Sequence, residues 1–140
     1  MKHVLFLYCL LAVVSMIGCS SEQSGNDKTD YDIKVPYKQV GYHPGAKPIF
    51  GTYFVYVNLS GIDNNIAYRD LKNIAQQLCK GKNVCFVHYW DKEEKAGHSI
   101  PMSDSEVNSK IAGYNINRNT GNDNFQCHPF AEPGQRCATN

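Results

Sequence analysis

Thr52-Tyr53-Phe54-Val55-Tyr56-Val57-Asn58-Leu59 decides how this 140-residue chain is read. β-Branched and aromatic residues fill the stretch, and Ser60-Gly61 closes it. With no polar alternation it reads as a strand apolar on both faces, hence central or sandwiched. Asp63 or Asn64 then offers a cap to a helix in which Ile66, Leu71, Ala75 and Leu78 recur near helical spacing. Arg69, Lys72, Asn73 and Gln76 fall elsewhere, and Gly81 stops the helix. Asn83 to Trp90 (NVCFVHYW) repeats the apolar strand pattern. Strand, helix and strand make a β-α-β crossover, right-handed if the strands are adjacent and parallel.

Beyond Trp90, the run DKEEKAGHS is a charged, solvated connection, and Ser103-Asp104-Ser105-Glu106 matches a capping box. Val107, Ile111 and Tyr114 at i, i+4 and i+7 predict the buried stripe of a second helix. Asn115 to Asn124 reads as turn chemistry, and Phe125-Gln126-Cys127-His128 as a short edge strand. On the other side, residues 31–51 place three prolines and three glycines among short aromatic and β-branched runs. Pro36 removes a ladder donor, so a strand there belongs at an edge or in an extended wrap. The expected fold is α+β: a disulfide-stapled two-layer sandwich, with two helices on one face of a small mixed sheet.

At the N-terminus, Lys2 precedes the apolar run Val4 to Val14, with no charge until Glu22. The run is short for a bilayer span, which takes about 20 apolar residues, and has the form of an export signal. It ends in Met16-Ile17-Gly18-Cys19, which resembles the lipobox of bacterial lipoproteins. That resemblance implies cleavage before Cys19, lipidation of its thiol and acylation of the new amino group, with Gly18 at the small position and Met16 where leucine is more usual. Acyl chains contribute about 0.8 kcal/mol per buried methylene, enough together to hold a protein on a membrane. Ser20 is not the aspartate that retains Gram-negative lipoproteins at the inner membrane, so the resemblance implies an outer-membrane anchor facing the periplasm. Residues 1–18 are then the signal, and 19–30 a polar tether too hydrophilic to fold alone. Residues 31–140 form a single α+β domain.

Removal of residues 1–18 takes away Lys2 and leaves 13 basic against 13 acidic side chains. Without a polybasic block, nucleic acid is not an expected partner. Cys9 leaves with the signal and Cys19 with the lipid, so four of the six cysteines remain: Cys79, Cys85, Cys127 and Cys137. In an oxidising compartment they read as two disulfides. Cys85 is expected to pair with Cys127, both lying in strands, and Cys79 with Cys137, tying down the polar tail. The rival Cys79–Cys85 bond has to reach from a helix end into the following strand.

Zinc is the weaker reading of these cysteines, since no C-x-x-C is present. Residues 115–124 hold one acid, Asp123, too few for a calcium loop. His98 lies near Ser99 and Ser103, but neither serine sits in a G-x-S-x-G elbow. The sequence implies no catalytic residue, metal or cofactor. The pattern from Val84-Cys85 through Trp90-Asp91, Pro101 to Asp104, Ile111 to Asn115, Thr120-Gly121 and Phe125 to Cys127 resembles small exported bacterial lipoproteins without assigned activity.

A non-enzymatic envelope lipoprotein that binds a macromolecular partner, a protein or peptidoglycan, is therefore expected. One alternative is an inhibitor or immunity lipoprotein against an envelope-attacking enzyme, its 91–103 loop (Asp91, Lys92, Glu93, Glu94, His98) entering the active site. The other is a small envelope hydrolase using His98.

Overall fold

The crossover between residues 52 and 90 is the centre of the fold. The computed structural model describes residues 32–127 together with Cys137; the leader, Cys19 and the tether lie outside the described residues. Its elements are β1 (Tyr37–Pro44), β2 (Phe50–Val57), α1 (Asn64–Leu78), β3 (Val84–Trp90), a 3-10 turn (Glu93–Lys95), α2 (Asp104–Asn108), β4 (Ala112–Asn117) and β5 (Asn122–Cys127). The five strands lie in chain order, β1-β2-β3-β4-β5. Only β2 and β3 run parallel; the other neighbours are antiparallel. A parallel pair cannot close through a tight turn, which is why α1 stands between them.

α1 starts where the sequence expects, with the Asp63 carboxylate accepting from the amides of Asn65 at 2.8 Å and Ile66 at 3.4 Å. It ends at Leu78, and Gly81 turns the chain at φ +76°, a left-handed conformation that favours glycine. Ala67, Leu71, Ile74 and Ala75 pack on Val55, Val57, Val87, Tyr89, Tyr114 and Ile116 to form the main core. A large side chain fully buried there contributes roughly 1.5–3 kcal/mol. Two polar contacts lock the helix in place. The Tyr89 hydroxyl donates to the carbonyl of Leu71 at 2.7 Å. Asp70, fully buried, accepts from the backbone amides of Lys34 at 2.7 Å and Val35 at 3.0 Å, which pins the segment entering β1. Hydrogen bonding offsets the cost of burying that carboxylate.

Three expectations are corrected. The Val107, Ile111, Tyr114 stripe is not helical: α2 ends at Asn108, Val107 is exposed, and Tyr114 lies in β4. Residues 112–117 alternate buried and half-buried, so the run assigned to a helix face and a turn is a strand. β3 would otherwise offer an unpaired edge in the middle of the sheet, and β4 fills it.

The helices also do not share a face. Trp90 points away from the α1 core, and its indole donates to the carbonyl of Glu106 in α2 at 2.8 Å.

The cysteine pairing differs as well: Cys79 bonds Cys85 and Cys127 bonds Cys137, with Cα separations of 5.7 Å and 5.1 Å. Cys85 stands opposite Ile116 on β4 whereas Cys127 stands opposite Ala112. Four residues along a strand is about 13 Å, beyond the ~4.4–6.8 Å a disulfide spans. Likewise the Cys137 amide donates to Asn64 at the start of α1, while Cys79 caps its end. That helix is about 22 Å long. The reach from Cys79 to Cys85, which looks strained in sequence, is closed by the Gly81 turn, where the Lys82 amide donates to the Cys79 carbonyl at 3.0 Å.

No helix among the described residues is long and apolar enough to cross a membrane.

Candidate functional site

Strand alternation gives the sheet a second face, opposite α1. It carries Phe50, Thr52, Phe54 and Tyr56 from β2 and Val84, Phe86, His88 and Trp90 from β3. β4 adds Gly113, Asn115 and Asn117, and β5 adds Asn122, Asn124 and Gln126. The register aligns these in rows across the sheet. Thr52 stands beside Phe86, Phe86 beside Asn115, and Asn115 beside Asn124.

One half of this face is closed by the loop following β3. Ala96 is 4% exposed, and with Met102 and Val40 it packs on the buried rings of Phe54 and Trp90. Phe54 and Trp90 stack with centroids 6.1 Å apart. A bulge between Gln39 and Gly41 in β1 leaves Val40 without a partner residue and turns it into this cluster. Gly41 is required there, because a Cβ would fall on the backbone carbonyl of His98. His98 itself is held by Nδ1 against the Val40 carbonyl at 2.9 Å, and Lys38 pairs with Glu93 at 2.5 Å. Both members of that ion pair are exposed, so it adds about 0–1 kcal/mol.

The five residues assigned to a binding loop thus have mixed fates. Lys92, Glu93, Glu94 and His98 are exposed and Asp91 is half-buried, but the segment lies down on the sheet instead of projecting from it. His98 and Ser103 are each engaged elsewhere, His98 at the Val40 carbonyl and Ser103 in its own helix cap. The Ser103 hydroxyl donates to Glu106 Oε2 at 2.8 Å and accepts from the Glu106 amide at 3.3 Å, so the capping box occupies it. The same box, chiefly the Ser103 amide and then its hydroxyl, lowers the Glu106 pKa. Among the described residues no three His, Cys, Asp or Glu side chains gather as a metal site.

Among the described residues, nothing covers the other half of the second face. Gly45, Phe50, Gly51, Thr52, Val84 and Phe86 line a shallow groove of about 250 Å³. Phe86 is 42% exposed although it sits mid-strand on a central strand. Asn115 lies beside it and is bonded to the side-chain amide of Asn122. An exposed ring flanked by amides suits a ligand with apolar faces and hydrogen-bonding groups. These residues carried a signal in the sequence: Val84, Phe86, His88 and Trp90 share one strand face, and Asn115 and Asn117 alternate with Tyr114 and Ile116. The period of two was masked by the coincident helical spacing of Val107, Ile111 and Tyr114.

Comparison of the chain with protein-family models, with curated proteins and with solved structures finds no match.

Proposed function

We propose that this chain is an envelope lipoprotein, anchored at the outer membrane through Cys19, whose domain binds a macromolecular partner without catalysing a reaction. The observation that carries the reading is the lining of the open groove. Apolar and aromatic side chains, one hydroxyl and glycine backbone form it, with no titratable group among them. Such a lining holds a ligand by contact and hydrogen bonds and is poorly suited to proton transfer. The polar tether between Cys19 and residue 31 supports the same reading, since it lets an anchored domain reach its partner.

The test combines anchoring with binding. Cys19→Ser is expected to release the protein from the membrane fraction or to leave an uncleaved precursor. Stoichiometric capture of a partner from solubilised envelopes by the wild type, lost with Phe86→Ala, supports the groove. Capture of a hydrolase that survives Phe86→Ala but not changes in residues 91–103 would replace this reading with the inhibitor one.

A further inference from the structure

The two edges of the sheet are built differently. At β1 the edge is blunted: a bulge between Gln39 and Gly41 breaks the register, Lys38 puts a charge on the strand, and Pro44 ends it without an amide donor. The Val40 carbonyl is bonded to His98 of the loop after β3. β5 has none of these guards. Its six residues, Asn122–Cys127, pair with β4 position for position without a register shift, and include neither proline nor lysine. Among the described residues no strand pairs with its outer side. Unpaired amides and carbonyls along a regular edge are a template for another strand.

The side chains of β5 select the strand that fits. On the α1 face, Phe125 meets the ring of Tyr68 edge-on at 5.0 Å, and Tyr68 is 38% exposed. Asn122, Asn124 and Gln126 line the second face. Asp123 is the one charged residue of the strand, and it is hydrogen-bonded to Tyr114. We infer that β5 pairs antiparallel with β5 of a second copy of this chain, about a two-fold axis at Phe125, joining two five-stranded sheets into one of ten.

In that register Phe125 stands opposite the partner's Phe125, with a Tyr68 ring beside each, and Asn124 stands opposite the partner's Gln126. Aromatic pairs opposite one another on antiparallel strands are favourable, and amides match amides because each both donates and accepts. The two Asp123 carboxylates are then offset by four positions, about 13 Å, beyond the screening length of about 8 Å at physiological salt. Neighbouring registers fit less well. Centring on Asn124 sets Asp123 opposite the partner's Phe125, and centring on Asp123 sets like charges face to face. A contact of this extent belongs to the small, transient class of interface, below about 1,200 Å². The dimer is therefore reversible. Because a two-fold axis normal to the sheet preserves its faces, both Phe86 grooves come to lie on the same side of the joined sheet.

The experiment is sedimentation equilibrium of the full-length chain in density-matched detergent, from about 1 to about 300 µM, with folding of each variant checked by circular dichroism. The wild-type mass is expected to rise from one copy to two. Asn124→Lys with Gln126→Lys opposes like charges across the axis and should weaken association at least about tenfold. Asn124→Asp with Gln126→Lys opposes unlike charges and should associate at least as well as the wild type. Tyr68→Ala should weaken the dimer several-fold, whereas Tyr37→Ala, exposed on β1, should leave it unchanged. A single-copy mass over the whole range, or a dimer indifferent to N124K with Q126K, overturns the assignment. So does a dimer that N124D with Q126K weakens as much. If the chain stays monomeric while an envelope protein is captured and then lost with N124K and Q126K, the edge takes a partner's strand and self-pairing falls. None of these substitutions alters a residue lining the groove, so their failure leaves the binding reading standing.

Discussion

Among the described residues, one face of the sheet is closed by a fifteen-residue helix, and the other by a loop that reaches halfway across it. The difference follows from topology. The parallel β2–β3 pair requires a crossover, so a helix was bound to cover one face. The remaining strands are joined by short turns or, after β3, by a segment of 21 residues containing a five-residue helix. That segment closes the Phe54–Trp90 end and leaves the Phe50–Phe86 end open. One face is therefore organised for stability, and the second divides its length between stability and an accessible surface.

The contrast can be tested in order of expected effect. Leu71→Ala removes a fully buried side chain from the α1 face and should cost about 2–5 kcal/mol in urea unfolding. A loss under about 1 kcal/mol would mean that α1 is not what holds the domain together.

The disulfides rank next. Each closes a short loop, six residues apart for Cys79–Cys85 and ten for Cys127–Cys137. Removal of either pair by alanine should lower stability by about 2–3 kcal/mol in the chain-entropy treatment. Non-reducing peptide mapping checks the pairing, and a peptide joining Cys85 to Cys127 would refute it.

On the opposite face, Gly41→Ala should cost about 1–3 kcal/mol, since the new Cβ meets the His98 backbone and lifts the loop. Faster proteolytic cleavage within residues 91–103 is the specific readout. Unchanged cleavage would show that the loop does not depend on its seat at Gly41.

Alkaline titration separates the faces without mutation. Burial raises the Tyr89 pKa well above its ordinary value of 10.0, helped by Tyr37 and Tyr114. The Tyr114 pKa is pushed up to about 12 by burial and then by its hydrogen bond to Asp123. Both belong to the α1 core. A phenol whose pKa is higher in the folded chain adds stability in full below its unfolded value of about 10, and loses it as pH rises through the folded value. Stability should thus hold to about pH 10 and fall towards pH 12, less steeply in Tyr114→Phe. A flat profile across that range would contradict the burial of these two hydroxyls.

The smallest expected effect on stability is Phe86→Ala, about 1 kcal/mol or less, because much of the ring already faces solvent. A loss comparable to Leu71→Ala would show that the open half is closed in solution, and the site would lose its basis.

Much of the architecture was legible locally. The apolar strands read at 52–59 and 83–90 form at 50–57 and 84–90, and the Asp63 cap and the Ser103–Glu106 box form as their sequences direct. β1 occurs at an edge, as its glycines and prolines suggested. β4 was hidden because Ile111 and Tyr114 fit two periods at once, and a five-residue segment cannot arbitrate between them. The open groove was hidden for a related reason. Phe86 reads as a core residue in any apolar strand, and what makes it a surface is that no covering element lies above it among the described residues.

The sequence by itself therefore determined the α+β class, the strand-helix-strand order and the helix starts, since each depends on patterns within a few residues along the chain, whereas the parallel pairing of β2 with β3 came from the tertiary structure. Which cysteines pair, which strand lies beside β3 and which half of the second face stays open were decided only by the tertiary structure. Those outcomes depend on lengths and registers: the span of α1 separates Cys79 from Cys137, and four positions of β4 separate Cys85 from Cys127. Distance across a fold is set by the packing of whole elements, and no local pattern of side chains encodes it.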